Sequence, residues 1–509
     1  MPVRTAELAD RAAEVLRAND LGDMTAAAPR LYPHMWSWDS AVIAMGLARI
    51  SVPRAITELR TLLRAQWSTG MIPHIVFADG DEDYFPGAGR WDSRSAPTAP
   101  RHVATSGICQ PPVHAIALRA VLDAGRRAGG AERAAAEDFA AESFDAWLAW
   151  HRWLATARDP DGRGLVEIHH GWESGMDNSP RWDAAYAAVE PGEVPPFQRR
   201  DTLHVADTDE RPTDDEYRRY LWLVEQMRRV RYDDDAVRET VDFRVGDVFM
   251  SGVLAVAGDV LADIGEELGR SAGAAESRDI AARFRSGVAS TVDPATGLAR
   301  DLDLRSGRWI ATETVAGFAP LFSGGDPALL AAQRELFWGP RWCGHPALAY
   351  ALPPSMSAAA EGLRPRTYWR GPVWPFLSWL FGWAFAHHGD AEGAERIRAA
   401  GLAQLAGGEF AEYYDPLTGE PLGSHRQSWT AAAALDWAAW GLGESPRRPP
   451  PPVTTPRSRC PARRSSRRAG STRAGSRRPG RPAGASRAVP SPARTTSGAP
   501  CTGAVRGRR

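Results

Sequence analysis

Three short segments interleave tryptophan with charged side chains: Trp36-Ser37-Trp38-Asp39, the run 172–183 (WESGMDNSPRWD) and the run 368–374 (YWRGPVW). Sugar rings have apolar C–H faces and hydroxyl rims, so a site for them needs flat aromatics beside carboxylates and amides. An isolated Trp belongs to a core; three such clusters in one chain point to carbohydrate. Asp177 lies in the turn-rich stretch Gly175-Met176-Asp177-Asn178-Ser179-Pro180. Walled by Trp172 and Trp182, its carboxyl would be desolvated and keep its proton, as a general acid requires. An Asx turn or a helix cap is the alternative use of Asp in that context. Glu412, in Phe410-Ala411-Glu412-Tyr413-Tyr414-Asp415-Pro416, is the second carboxylate; its Tyr neighbours could orient it as an ionised base, while Asp415, before Pro, forms a turn. Asp39 competes for either role. Glycoside hydrolysis needs such a pair, one protonated and one not, brought together from distant positions.

Other chemistries fail on composition and spacing. The chain has no Lys, which removes the P-loop, the pyridoxal-phosphate Schiff base and any Lys nucleophile. H-E-x-x-H, G-x-S-x-G and G-x-G-x-x-G do not occur in the sequence. Cys109, Cys343, Cys460 and Cys501 show no C-x-x-C spacing, which argues against a zinc cluster or disulfide framework and fits a reducing compartment. The acidic run 79–83 lacks the ligand positions of an EF-hand and reads as a solvated loop. The N-terminus has no signal-peptide core, and no run of about 18 apolar residues suggests a membrane span.

The elements that must position these residues are helices. Helical periodicity covers 5–19, 40–50, 54–66, 112–127, 132–158, 214–231, 246–268, 271–291, 327–336, 371–388, 391–405 and 428–442, and strand-like alternation is scarce. Asp159-Pro-Asp-Gly, Asp293-Pro-Ala-Thr-Gly and Asp415-Pro-Leu-Thr-Gly each follow a helical segment, a weak repeat that suits a toroid of helical hairpins. Residues 1–445 carry 44 Arg and all 62 acidic residues, a net charge near −18, whereas 446–509 carry 17 Arg and no acid. The acidic body argues against nucleic acid or anionic membrane as its partner. The tail opens with a proline run at 449–452 and has a disordered composition. Without aromatics between its arginines it reads as a non-functional extension rather than a nucleic-acid-binding arm.

The ordered motifs resemble glycoside hydrolase family 63, in the bacterial branch that includes glucosylglycerate and mannosylglycerate hydrolases. They are YPHMWSWD (32–39), GMIPHIVF (70–77), 84–87, TSGICQPPVH (105–114), WESGMDNSPRWD (172–183), RPTDDEY (211–217), YWRGPVW (368–374), 410–423 and 428–430. The resemblance implies an all-α fold, an (α/α)6 barrel over residues 1–445, and an inverting mechanism. It implies Asp177 as general acid and Glu412 as general base. Tyr32, Trp36, Asp39, Tyr84, Gln110, Trp172, Gly175, Arg211, Tyr217, Tyr368, Trp369 and Trp374 would line the sugar and aglycone pocket. Two positions depart from the pattern: Gly171, in His169-His170-Gly171 where H-P-W is expected, and Ala411, where a bulkier residue is common.

Together these features predict a cytoplasmic inverting α-glycosidase for a small glycoside, 2-O-α-D-glucosylglycerate first and mannosylglycerate second. No cofactor or metal follows from the mechanism, and homo-oligomerisation stays open. A trehalase-like or oligosaccharide α-glucosidase, and a non-catalytic sugar-binding protein on the same scaffold, are the alternatives. Arg211 is expected to grip the glycerate carboxylate with two parallel hydrogen bonds, its alternative being a surface ion pair with Asp214 or Asp215.

Overall fold

The computed structural model describes residues 5–29, 31–79, 84–203 and 210–440. The boundary at 445, the tail 446–509, the last residues of the helix expected over 428–442 and most of the acidic run 79–83 lie outside the described residues. The helices in chain order are α1 (Thr5–Ala18), α2 (Ser37–Leu47), α3 (Val52–Arg64), α4 (Ala88–Trp91), α5 (His114–Ala128), α6 (Gly130–Thr156), α7 (Asp183–Ala187) and α8 (Asp214–Arg229). They continue with α9 (Asp234–Thr240), α10 (Val248–Glu267), α11 (Ser271–Ser290), α12 (Ala319–Ser323), α13 (Pro327–Phe337), α14 (Pro375–His387), α15 (Ala391–Gln404) and α16 (Ser428–Ala439).

Twelve of them form an (α/α)6 barrel. The inner ring runs α2, α5, α10, α12, α14, α16 and back to α2, each helix packing on the next. Behind them lie α3, α6, α11, α13 and α15, each the hairpin partner of the inner helix before it, and the sixth outer helix is α1, packed on α16. Composition sorts the two rings. Every residue of α2 is buried, as are all of α14 from Pro375 to Phe385. A helix apolar all round belongs inside. Outer α3 instead buries Val52, Ala55, Ile56, Leu59 and Leu62, a single stripe at helical spacing. Where α2 crosses α16 the helices touch at Gly46; a Cβ there would lie 2.5 Å from the Cβ of Ala432. Helix α10 is the one described helix long and apolar enough to cross a membrane, and it is buried in the ring.

The twelve helices expected from periodicity are all present. The four short ones, α4, α7, α9 and α12, span four to seven residues and carry too few turns to show a period. The strands are shorter still. β1 (Met35–Trp36) pairs with β2 (Ile75–Val76), and β7 (Tyr413–Tyr414) with β8 (Pro421–Leu422). β3 (Val166–Ile168), β4 (Val245–Asp247), β5 (Asp301–Asp303) and β6 (Arg308–Ile310) form an antiparallel sheet in that order. Each Asp-Pro turn closes as its sequence predicts. The Asp159, Asp293 and Asp415 carboxylates accept following backbone N–H groups, and Gly162, Gly297 and Gly419 take φ of 66°, 73° and 75°. The first two turns lie between an outer helix (α6 or α11) and a short strand, and the third joins β7 to β8.

Candidate active site

Chemistry-bearing residues collect just before, or in the first turn of, the inner helices. Trp36 and Asp39 start α2, Gln110 precedes α5, Tyr368 and Trp369 precede α14, and Glu412 and Gln427 precede α16. They surround a cavity of about 120 Å³ lined by Tyr32, Trp36, Asp39, Tyr84, Gln110, Trp172, Gly175, Asp177, Arg211, Tyr217, Tyr368, Trp369 and Glu412. The sequence thus identifies all but one of its expected site residues as cavity lining. The exception is Trp374, which is 1% exposed and stacks behind Trp369 with ring centroids 3.8 Å apart and planes 4° from parallel. It stiffens the wall without forming it. Trp182 likewise backs the Asp177 loop instead of walling its carboxyl: it is buried and donates from Nε1 to the Met176 carbonyl at 3.0 Å.

The loop bearing Asp177 is fixed from both sides. Glu173 accepts two bonds from Arg158, at 2.9 and 2.8 Å, and one from the His169 N–H at 2.6 Å. Four residues past Asp177, Arg181 reaches both Asp301 oxygens at 3.0 Å and lies 3.6 Å from Asp247. Removing one partner of such a buried pair costs about 3–5 kcal/mol. Gly175 turns the chain at φ 70°, and a Cβ there would meet the Trp38 ring at 2.5 Å. The departure at Gly171 has its own reason: a Cβ would lie 2.6 Å from the Tyr186 hydroxyl, which accepts the Gly171 N–H at 2.8 Å. Asp177 caps no helix; Ser179 is the residue that precedes the turn Pro180–Trp182. Its half-buried carboxyl is pushed up to about 7 by burial, which outweighs the lowering charge of Arg211, and the Glu412 charge pushes the same way as burial.

Glu412 is 1% exposed and fully engaged on one side. Its Oε1 accepts from the Tyr32 hydroxyl at 2.9 Å; its Oε2 accepts from the Ser424 N–H at 3.0 Å and from Arg211 at 3.2 Å. Tyr32, not the neighbouring Tyr413 or Tyr414, orients it. Gly423 makes room: a Cβ there would sit 2.6 Å from Glu412 Oε2. Beneath it Ala411 is wholly buried, its carbonyl accepting from Thr430 at 2.9 Å. Asp39 is also buried in this cavity, and burial first, then the charges of Glu412 and Asp177, hold its carboxyl well above the carboxylate range.

Arg211 does not form the alternative surface ion pair. Asp214 pairs with Arg199 and Asp215 with Arg219. Arg211 turns inward, donating to Tyr32 at 3.0 Å and to Glu412, with its guanidinium 4.5 Å from the Tyr368 ring centroid. Helix α8 starts at Asp214, as the acidic run implies, under a Thr213–Glu216 capping box. The cavity also takes Trp38, His74 and Trp429, which appear above only inside longer motifs, and Tyr220 and Gln427, which sequence reasoning did not single out. For Gln427 and Trp429 the signal was position, at the start of the last inner helix.

Burying the Asp177 charge opposes folding. Its folded value, about 7, lies above the unfolded value near 4, so the native state binds the extra proton and stability falls as pH rises through that window. Asp177→Asn should therefore leave stability at pH 4 nearly unchanged and raise it by up to about 4 kcal/mol at pH 8, read by chemical denaturation at both pH values.

The profile of the mannosylglycerate hydrolase MGH1-like glycoside hydrolase domain matches residues 32–430. A glucosylglycerate hydrolase of Mycolicibacterium hassiacum is 56% identical over 440 residues, covering 85% of this chain and 97% of that protein. A mannosylglycerate hydrolase of Thermus thermophilus is 40% identical over 432 residues, covering 84% and 99%. The crystal structure of a GH63 mannosylglycerate hydrolase from Thermus thermophilus in complex with Tris and D-glycerate superposes with a TM-score of 0.76 at 39% identity, over 84% of this chain and 99% of that one. With its barrel, its paired carboxyls and these matches, the chain belongs to the MGH1-like family and is a glycoside hydrolase.

Proposed function

We propose that this enzyme is an inverting α-glycosidase that hydrolyses 2-O-α-D-glucosylglycerate to glucose and glycerate, with mannosylglycerate as the second substrate. The observation that carries the mechanism is the unequal treatment of two carboxyls on one cavity. Burial keeps the proton on Asp177, whereas Glu412 receives three donors, as a carboxylate can. Asp177 gives its proton to the glycosidic oxygen. Glu412 takes a proton from a water on the opposite face, and that water's oxygen bonds to the anomeric carbon as the glycosidic bond breaks. Asp39, protonated, serves as a hydrogen-bonding contact to sugar hydroxyls. Glucose is placed before mannose because the glucosylglycerate hydrolase is 56% identical, against 40% for the Thermus mannosylglycerate hydrolase.

Arg211 supports an anionic aglycone. It lines the cavity, and its Nε has no hydrogen-bond partner among the described residues. It carries two tasks, orienting Glu412 and binding the glycerate carboxylate. We place the enzyme in the cytoplasm, a reading supported by free, buried thiols at Cys109 and Cys343. Residues 1–445 form the catalytic unit in this reading, since 85% of the chain accounts for 97% of the glucosylglycerate hydrolase.

Asp177→Asn and Glu412→Gln should each lower kcat by about 10²–10⁴-fold. Early NMR of the released sugar should show the β-anomer; early α-anomer overturns inversion. Arg211→Ala should slow turnover of glucosylglycerol through misplacement of Glu412, and should cost glucosylglycerate a further 10–160-fold, roughly, in kcat/KM. Equal losses would mean that Arg211 serves the base alone. Truncation after Ser445 should leave kcat and Tm nearly unchanged, and a clear fall in either would place the tail in the working enzyme.

A further inference from the structure

The hydroxyl directions around Glu412 are forced. A guanidinium only donates and a carboxylate only accepts. The Tyr32 oxygen therefore accepts from Arg211, and the single Tyr32 proton goes to Glu412 Oε1. Tyr368 lies 3.2 Å from Tyr32, oxygen to oxygen. With the Tyr32 proton spent, Tyr368 must be the donor in that contact. Burial pushes both phenols well above their ordinary range, so both keep their protons. The Tyr368 hydroxyl thus arrives at the cavity with its proton committed and only lone pairs to offer.

Glu412 is restricted in the same way. Oε2 accepts from Ser424 and Arg211, which uses both its lone pairs, whereas among the described residues Oε1 accepts only from Tyr32. The free lone pair of the base is on Oε1. That atom and the Tyr368 oxygen both neighbour the Tyr32 hydroxyl, a separation that one water can bridge.

Tyr368 is also held at a conformational cost. Its φ is 35°, in the left-handed region that a bulky residue avoids. The neighbouring Trp369 N–H is tied to the Asn178 side chain at 3.0 Å, one residue from Asp177, and Arg370 is paired with Asp183. The Tyr368 ring lies on Arg211 and against the edges of Trp374 and Tyr413. Nothing in core packing calls for the hydroxyl.

Resting on the acid–base assignment above, we propose that Tyr368 is the second acceptor for the attacking water, which donates one proton to Glu412 Oε1 and its other O–H to the Tyr368 oxygen. A water so held has both O–H bonds directed, so its two lone pairs face away from the Glu412 and Tyr368 oxygens. The proton on the Glu412 side is transferred as the oxygen bonds to the anomeric carbon; the hydrogen on the Tyr368 side stays and becomes that of the new anomeric hydroxyl. Asp177 supplies the proton to the departing glycerate oxygen, so protons and electrons balance.

Tyr368→Phe keeps the ring and its aromatic contacts and removes both the acceptor and the hydrogen bond donated to Tyr32. We expect Tm to hold, KM to change by less than about threefold, and kcat to fall about 10²-fold. α-D-Glucosyl fluoride separates the two halves of the reaction, because fluoride leaves without protonation. On it Asp177→Asn should recover most of its rate, while Tyr368→Phe should stay slow. Recovery of both variants would overturn the role of Tyr368 alone. Recovery of neither would overturn the acid–base assignment and this role with it. A loss confined to KM would make Tyr368 a sugar contact and refute the proposal.

Discussion

Besides Asp201, which pairs with Arg199, the carboxyls of Asp39, Asp177 and Glu412 face one cavity, and like charges so placed cannot all ionise at modest cost. Arg211 breaks the symmetry. Its guanidinium bonds to Glu412 and to neither Asp177 nor Asp39, so one carboxyl has a fixed counter-charge and the other two are left to burial. In the mechanism proposed above, the division of acid from base is thus a matter of which carboxyl the arginine touches. The rest of the site serves to keep that choice. Tyr32 and the Ser424 N–H occupy the oxygens of Glu412 that could otherwise turn away, and Tyr368 covers the guanidinium.

Holding an acid on a loop needs more than a barrel beneath it. The 172–183 segment is short of regular structure, yet its position is set by Arg158 on one side and by Asp301 and Asp247 on the other. Those partners come from the end of α6, from β5 and from the N-cap of α10. Together they tie the loop to the outer ring and, through the adjacent strands β4 and β5, to the sheet and the start of α10. Replacing these pairs with apolar residues need not weaken the fold, since buried ion pairs roughly break even against good packing. What they supply is direction: a planar guanidinium bonded on two sides admits little rotation, and the loop inherits that rigidity.

Much of this was legible in the sequence, and the failures share a cause. The long helices show in their apolar period, and Asp177 and Glu412 show in their aromatic company. The strands do not show, because two or three residues carry no alternation. Arg211 was legible at its helix boundary, but its bond to Glu412 was not, since Asp214 and Asp215 are near in sequence whereas Glu412 is 201 residues away. Trp374 and Trp182 look like cavity walls because the sequence shows which rings are neighbours but not which is in front. Gly171 showed only as a departure from the family pattern and Gly423 only as the end of a motif, since each is required by an atom from elsewhere in the chain, the Tyr186 hydroxyl or the Glu412 carboxylate.

The barrel closes with a seam. Five hairpins are made of consecutive helices, but the sixth joins α16 to α1. Asn19 donates to Ser428 and to the Arg426 carbonyl, Arg11 to the Gly408 carbonyl, and the Ser428 N–H to Ala27, all about 400 residues apart in sequence. During synthesis the first helix must therefore wait, its apolar face open, until the last has left the ribosome. Glu412 lies in that same final stretch. The ring and the proposed catalytic pair are completed together, so a nascent chain passes through five-sixths of an architecture before that pair can meet.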